Sequence, residues 1–199
     1  MKKIISIALL GIIVTAHGQV GITNSGNLQI HPGVSITGFA DFTNSSSGVL
    51  LNNGNLYLIN NISNGQSTMS AGSGTLYLNG TSAQAINGTQ VFKTFNLETN
   101  NAAGITLNNN LSVSGAHTYT AGMITTSATP SYMIYESGSS YSGSSDTRHV
   151  NGWVKKLGNT DFIFPAGNTT YERTVALTNL TAASEFNVRY NRGIPSNYM

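Results

Sequence analysis

Short strands of alternating apolar and polar residues, set off by Asn and Gly, recur along the first two thirds of this chain. Residues 54–58 (GNLYL) return as residues 74–78 (GTLYL), with related runs at 95–97 (FNL) and 104–107 (GITL) and an earlier copy at 26–30 (GNLQI). Matched leucines lie 28 residues apart from Leu28 to Leu56, 20 from Leu56 to Leu76 and 21 from Leu76 to Leu97. A strand-bearing unit repeating about every 20 residues has the spacing of a stacked β-solenoid coil. Within Leu56-Tyr57-Leu58 the two-residue strand period puts both leucines on one face and Tyr57 on the other, and Leu76-Tyr77-Leu78 repeats this.

Asn and Gly mark the corners, at 52–54 (NNG), 64–65 (NG), 79–80 (NG), 87–88 (NG) and 108–110 (NNN). Gly tolerates positive φ, and Asn does so while bonding to its own backbone. Antiparallel hairpins use the same turns, so local chemistry alone leaves a β-sandwich open. The recurrence favours parallel coils, with aliphatic residues inside and Asn ladders at the corners.

From residue 148 onward the pattern changes. Residues 150–157 (VNGWVKKL), 162–164 (FIF, stopped by Pro165), 174–177 (TVAL) and 186–190 (FNVRY) are four alternating strands about a dozen residues apart, the spacing of an antiparallel sheet or sandwich. A Gly/Ser run at 138–145 (GSSYSGSS) precedes them, and charge becomes denser after it. The fold expected is all-β: a parallel β-solenoid over residues 19–147, then an incomplete antiparallel β-sandwich-like module over residues 148–199. Four strands bury little and leave an edge open, so the chain is expected to be part of a longer protein.

Composition adds an address. Lys2 and Lys3 precede an apolar run at 4–14 (IISIALLGIIV), and Ala16-His17-Gly18 has the small residues of a cleavage site. Residues 1–18 thus have the form of a signal peptide, with a mature start at Gln19. The run is too short to span a bilayer, and no later integral membrane segment is expected once it is removed. Without Lys2 and Lys3, seven Lys and Arg balance seven Asp and Glu, so the clustered positive charge that nucleic acid requires is missing. With no Cys, disulfides, thiolate metal sites and a lipid-carrying cysteine are excluded. A secreted or cell-surface protein follows, whose partners would be the export machinery and surface glycans or other cells.

A family resemblance emerges from these residues. Residues 74–89 (GTLYLNGTSAQAINGT), 92–115 (FKTFNLETNNAAGITLNNNLSVSG) and 118–126 (TYTAGMITT) resemble coils of large secreted Bacteroidetes β-helix repeat proteins. Residues 141–177 are similar to the module that often follows such coils, through His149-Val150, Gly152, Val154, Lys156, Gly158, Phe162, Phe164-Pro165, Gly167, Tyr171 and Arg173. The resemblance implies the amino-terminal part of a multidomain, adhesin-like protein displayed by type IX secretion. Such proteins usually end in a sorting domain, and no such domain stands in this sequence.

Catalysis finds little material. Glycoside hydrolysis needs two carboxyl groups flanking one bond, and the coils offer only Asp41, Glu98, Glu136 and Asp146, widely spaced, with Lys93 as the lone Lys or Arg before Arg148. His31, His117 and His149 lack metal-ligand spacing and are expected at surfaces or turns. Neither a catalytic residue nor a metal or cofactor is expected. The sharper alternative is a glycan-binding or polysaccharide-degrading β-helix protein. Tyr57, Tyr77 and Tyr119 would form an outer aromatic row for sugar rings, against the plainer reading that outward aromatics steady neighbouring strands. Trp153 and Lys155 share a strand face, where Lys packing over the ring is the plain account.

Overall fold

The computed structural model describes residues 21–127 and 129–191, so the expected signal peptide at residues 1–18 lies outside the described residues. The fold is all-β: a parallel β-solenoid of about six turns, with an antiparallel region at its carboxy-terminal end. Three strands per coil form three faces. The first face runs Ile22–Asn24, Phe42–Asn44, Ile62–Asn64, Gln84–Gly88, Ile105–Leu107, Ile124–Thr126 and Val150–Asn151. The third runs Ser35–Gly38, Asn55–Leu58, Thr75–Leu78, Asn96–Asn100, Ala116–Ala121 and Ser140–Ser142.

The second face is in two pieces. Asn27–Ile30 pairs with Val49–Asn52, and Phe92–Thr94, Leu111–Val113, Tyr132–Tyr135 and Trp153–Gly158 form a separate ladder. In the third coil, side chains replace the strand that would join them. Gln66 Oε1 accepts the Leu50 N–H at 2.9 Å, and Met69 Sδ accepts the Lys93 N–H at 3.4 Å.

Stacking is like on like. Ile36, Leu56, Leu76, Leu97 and His117 occupy one register row on the third face, in steps of 20, 20, 21 and 20 residues. The leucines of that row are no more than 1 % exposed. A single coil cannot close its own apolar side, so each aliphatic row is buried only by its neighbours above and below. One corner is an amide ladder, as expected: Asn24 Nδ2 donates to Asn44 Oδ1 (2.8 Å), and Asn44 Nδ2 donates to Asn64 Oδ1 (2.9 Å). At the corner before the third face, a Cβ on Gly74 would run into the Gly54 carbonyl oxygen, so the close stacking there requires glycine.

Two details of the repeat differ from the sequence alignment. Leu28 stacks on Leu50 of the second face, and the true predecessor of Leu56 is Ile36. Ile105–Leu107 belongs to the first face, not to the row of Leu76 and Leu97.

The expected division near residue 147 falls inside the stack. Val150–Asn151 continues the first face beside Ile124–Thr126, and Trp153–Gly158 continues the second beside Tyr132–Tyr135, all parallel. Antiparallel pairing begins only beyond these strands, with Trp153–Gly158 against Ser184–Arg189 and Phe162–Phe164 against Val175–Leu177. The charges behind that expectation are spread over the last coil and the antiparallel region, with Lys155 outward, Lys156 buried, and Glu185 and Arg189 on the antiparallel strand.

Candidate functional site

On the outer strip of the third face, register aligns Thr37, Tyr57, Tyr77, Glu98 and Thr118. Tyr57 and Tyr77 stack with ring centroids 4.2 Å apart and planes inclined by 10°. Two nearly parallel rings at that distance are stacked, and each covers part of one face of the other. Burial, followed by the neighbouring Tyr77, raises the Tyr57 hydroxyl above its ordinary range.

Tyr119 does not extend this row. It registers with Thr99 rather than Glu98, points inward and is 2 % exposed. Its Oη lies 2.9 Å from Tyr135 Oη, and burial raises both hydroxyls. Tyr135 Oη also meets His117 Nδ1 at 2.8 Å, and His117 Nε2 meets Thr99 Oγ1 at 3.1 Å. From the fourth coil to the sixth, then, a hydrogen-bonded chain of Thr99, His117, Tyr135 and Tyr119 runs beside the aliphatic interior. Tyr141 and Phe162 pack against it with ring centroids 5.8 Å and 5.0 Å from that of Tyr135. Complete burial pushes the His117 imidazole down to about 3.

The expectation of surface or turn histidines holds for His31 and fails for His117, and His149 lies beside a turn but is buried. His31 is exposed, but His117 and His149 are both 0 % exposed. His149 holds two turns together, with Nδ1 3.0 Å from the Ser145 carbonyl oxygen and Nε2 2.7 Å from that of Asn168.

The carboxylates of the coils each accept a hydrogen bond of their own. Asp41 accepts the Asn61 N–H, Glu98 accepts the Thr120 hydroxyl, Glu136 accepts the Ser112 hydroxyl, and Asp146 accepts the Glu172 N–H. Among the described residues no three His, Asp or Glu side chains are grouped to hold a metal ion.

Trp153 and Lys155 share the outer side of their strand, but the ring contacts are crossed. Lys155 Nζ lies 4.6 Å from the Tyr132 centroid and bonds Glu185 at 2.6 Å, while the Arg189 guanidinium lies 5.8 Å from the Trp153 centroid. Lys156 points inward and is 1 % exposed; its Nζ donates to the Glu136 carbonyl oxygen at 2.6 Å, and desolvation lowers its pKa. Sequence reasoning missed this role, although alternation from Trp153 and Lys155 outward already implied Lys156 inward.

Comparison with protein-family models, with curated proteins and with solved structures finds no match to this chain.

Proposed function

We propose that the chain is an exported, structural and adhesin-like surface protein without catalytic activity, as its resemblance to Bacteroidetes repeat proteins implies. The observation that carries the reading is the outer surface of the solenoid. Its rows are Asn, Ser and Thr in register, as in Ser35, Asn55, Thr75 and Asn96, with almost no charge over six turns. Such a rod presents repeated neutral hydrogen-bonding groups. Cell fractionation with an antibody to the coils tests the reading. Antigen that intact cells expose to added protease supports it, and antigen confined to the cytoplasm refutes it.

The tyrosine strip does not favour the glycan-binding alternative. Tyr57 and Tyr77 stack on each other between Thr37 and Glu98, as the plainer reading of aromatics that steady neighbouring strands requires.

A further inference from the structure

Three short turns converge at the corner between the third and first faces near the end of the stack, and each is fixed by its own hydrogen bonds. Asn101 Oδ1 accepts the Ala103 N–H at 2.9 Å, and its carbonyl oxygen accepts the Gly104 N–H at 2.9 Å. Ser145 and Arg148 exchange both backbone hydrogen bonds at 2.9 Å, which sets Asp146 and Thr147 at a two-residue tip. Asn168 Oδ1 accepts the N–H groups of Thr170 and Tyr171, each at 2.8 Å. His149 ties the second of these turns to the third.

Between them lies a cleft of about 480 Å³, within the roughly 300–1,000 Å³ of small-ligand sites. Ala103, Gly104 and Met123 give it an apolar floor, and Asp146, Thr147, Thr169 and Thr170 give it polar walls. A second hollow of about 360 Å³, bounded by Thr120 and Arg148, shares Ala102, Gly122 and Thr147 with the first. The two therefore flank the Thr147 tip.

The chemistry of the walls narrows the ligand. An anion would face the Asp146 carboxylate, while the Arg148 guanidinium beside the second hollow is already donating to Ser145 Oγ (3.2 Å) and the Thr120 carbonyl oxygen (3.4 Å). An apolar ligand would strand the threonine hydroxyls and the carboxylate without water. A metal ion would need more carboxylates than the single one here. What remains is a neutral polyol. Its C–H face can lie on alanine and methionine, and its hydroxyls can donate to a carboxylate held in place by the Glu172 N–H at 2.9 Å. Because the turns are locked beforehand, little ordering is left to be lost on binding.

We infer that this corner cleft binds a neutral saccharide, with Asp146 as the principal acceptor and Thr147 between two sugar units. The inference deepens the adhesive reading by naming what is held, and it does not involve Tyr57 or Tyr77.

The test is a methyl NMR titration of the purified chain with maltose, cellobiose, lactose and chitobiose, each up to about 20 mM, a range that captures millimolar affinity. Digalacturonate serves as the acidic comparison. Saturable shifts at Ala102, Ala103, Thr147, Thr169 and Thr170 with at least one neutral disaccharide are expected. Asp146→Asn, which keeps the oxygen that accepts the Glu172 N–H, should bind roughly tenfold more weakly, the loss of one charge-assisted hydrogen bond. Ala102→Trp should abolish the shifts while the unfolding temperature holds. If that variant misfolds, the parent's shift map and Asp146→Asn still decide. Absence of saturable shifts with every neutral disaccharide, shifts that persist in folded Ala102→Trp, or tighter binding of digalacturonate would each overturn the inference. None of these outcomes bears on surface display, which is tested by location.

Discussion

Tyr135 Oη stands 2.8 Å from His117 Nδ1, joining a strand of the second face to a strand of the third across the interior of the solenoid. The contact makes a fully buried imidazole part of the packing, and burial holds it at about 3, far below the ordinary 6.5. Between those values the unfolded chain binds a proton that the folded chain does not. The neutral-His contribution is therefore complete above about pH 6.5 and is lost as pH falls toward 3. We predict that stability declines below pH 6.5 with a slope of up to about 1.4 kcal/mol per pH unit from this one group. His117→Gln, which retains hydrogen bonding but not titration, should flatten that slope in denaturant melts between about pH 6.5 and 4. An unchanged slope would assign the acid sensitivity to other groups.

Leu76 sits between Leu56 and Leu97 and is 0 % exposed. Leu76→Asp would place an unpaired charge in the middle of the row, at a cost of several kcal/mol. Because neighbouring coils share their interface energy, the damage should spread beyond one turn. Limited proteolysis followed by mass spectrometry should find new cuts in at least the coils above and below. Cuts confined to residues near Leu76 would show that the coils are energetically independent.

The repeat was legible because stacking demands it: identical residues at 20-residue steps are what parallel ladders bury. The alternation of Leu56-Tyr57-Leu58 fixed the inside and outside of the third face, and the corner asparagines announced their ladder. What the repeat could not reveal was which of three similar strands in a coil stacks on which. Leu28 resembled Leu56 in sequence because the inward partner of Leu58 in the first coil is Gly38, which hides the true copy. Tyr119 was placed outside by analogy with Tyr57 and Tyr77. Its strand keeps the register, with Thr118 and Thr120 on the exposed side and His117 and Tyr119 inward, so the tyrosine stands one position after the outward row. The cleft was invisible because its walls come from three turns spread along the sequence, at Ala102, Thr147 and Thr169.

If Tyr57 and Tyr77 serve each other and not a ligand, their value is a coupling energy. A double-mutant cycle with Tyr57→Ser and Tyr77→Ser should give about 0.5–1.5 kcal/mol between them. The doubly substituted protein should bind disaccharides as the parent does. A loss of binding in a folded double variant would restore the strip as a sugar site.

The corner ladder yields the sharpest contrast between two small substitutions. Asn44 is 0 % exposed; it accepts from Asn24 and donates to both Asn64 Oδ1 (2.9 Å) and Gln66 Oε1 (2.8 Å). Asn44→Leu removes three hydrogen bonds, but Asn64 Oδ1 still accepts the Gln66 N–H and Gln66 Oε1 still accepts the Leu50 N–H. Its cost should be about 2–4 kcal/mol, near 1 kcal/mol for each bond lost. Asn44→Asp is nearly isosteric and yet should be worse at neutral pH. It turns a carboxylate oxygen toward two acceptors that previously received N–H donors, and it buries a charge. Burial would raise the pKa of that carboxyl group, and once protonated it can donate to one of the two acceptors. The gap in unfolding temperature between Asn44→Asp and the parent should therefore narrow as pH is lowered from about 7 to 5, whereas the gap for Asn44→Leu should not. Equal losses for the two variants at neutral pH would mean that the asparagines stack without depending on their amide donors.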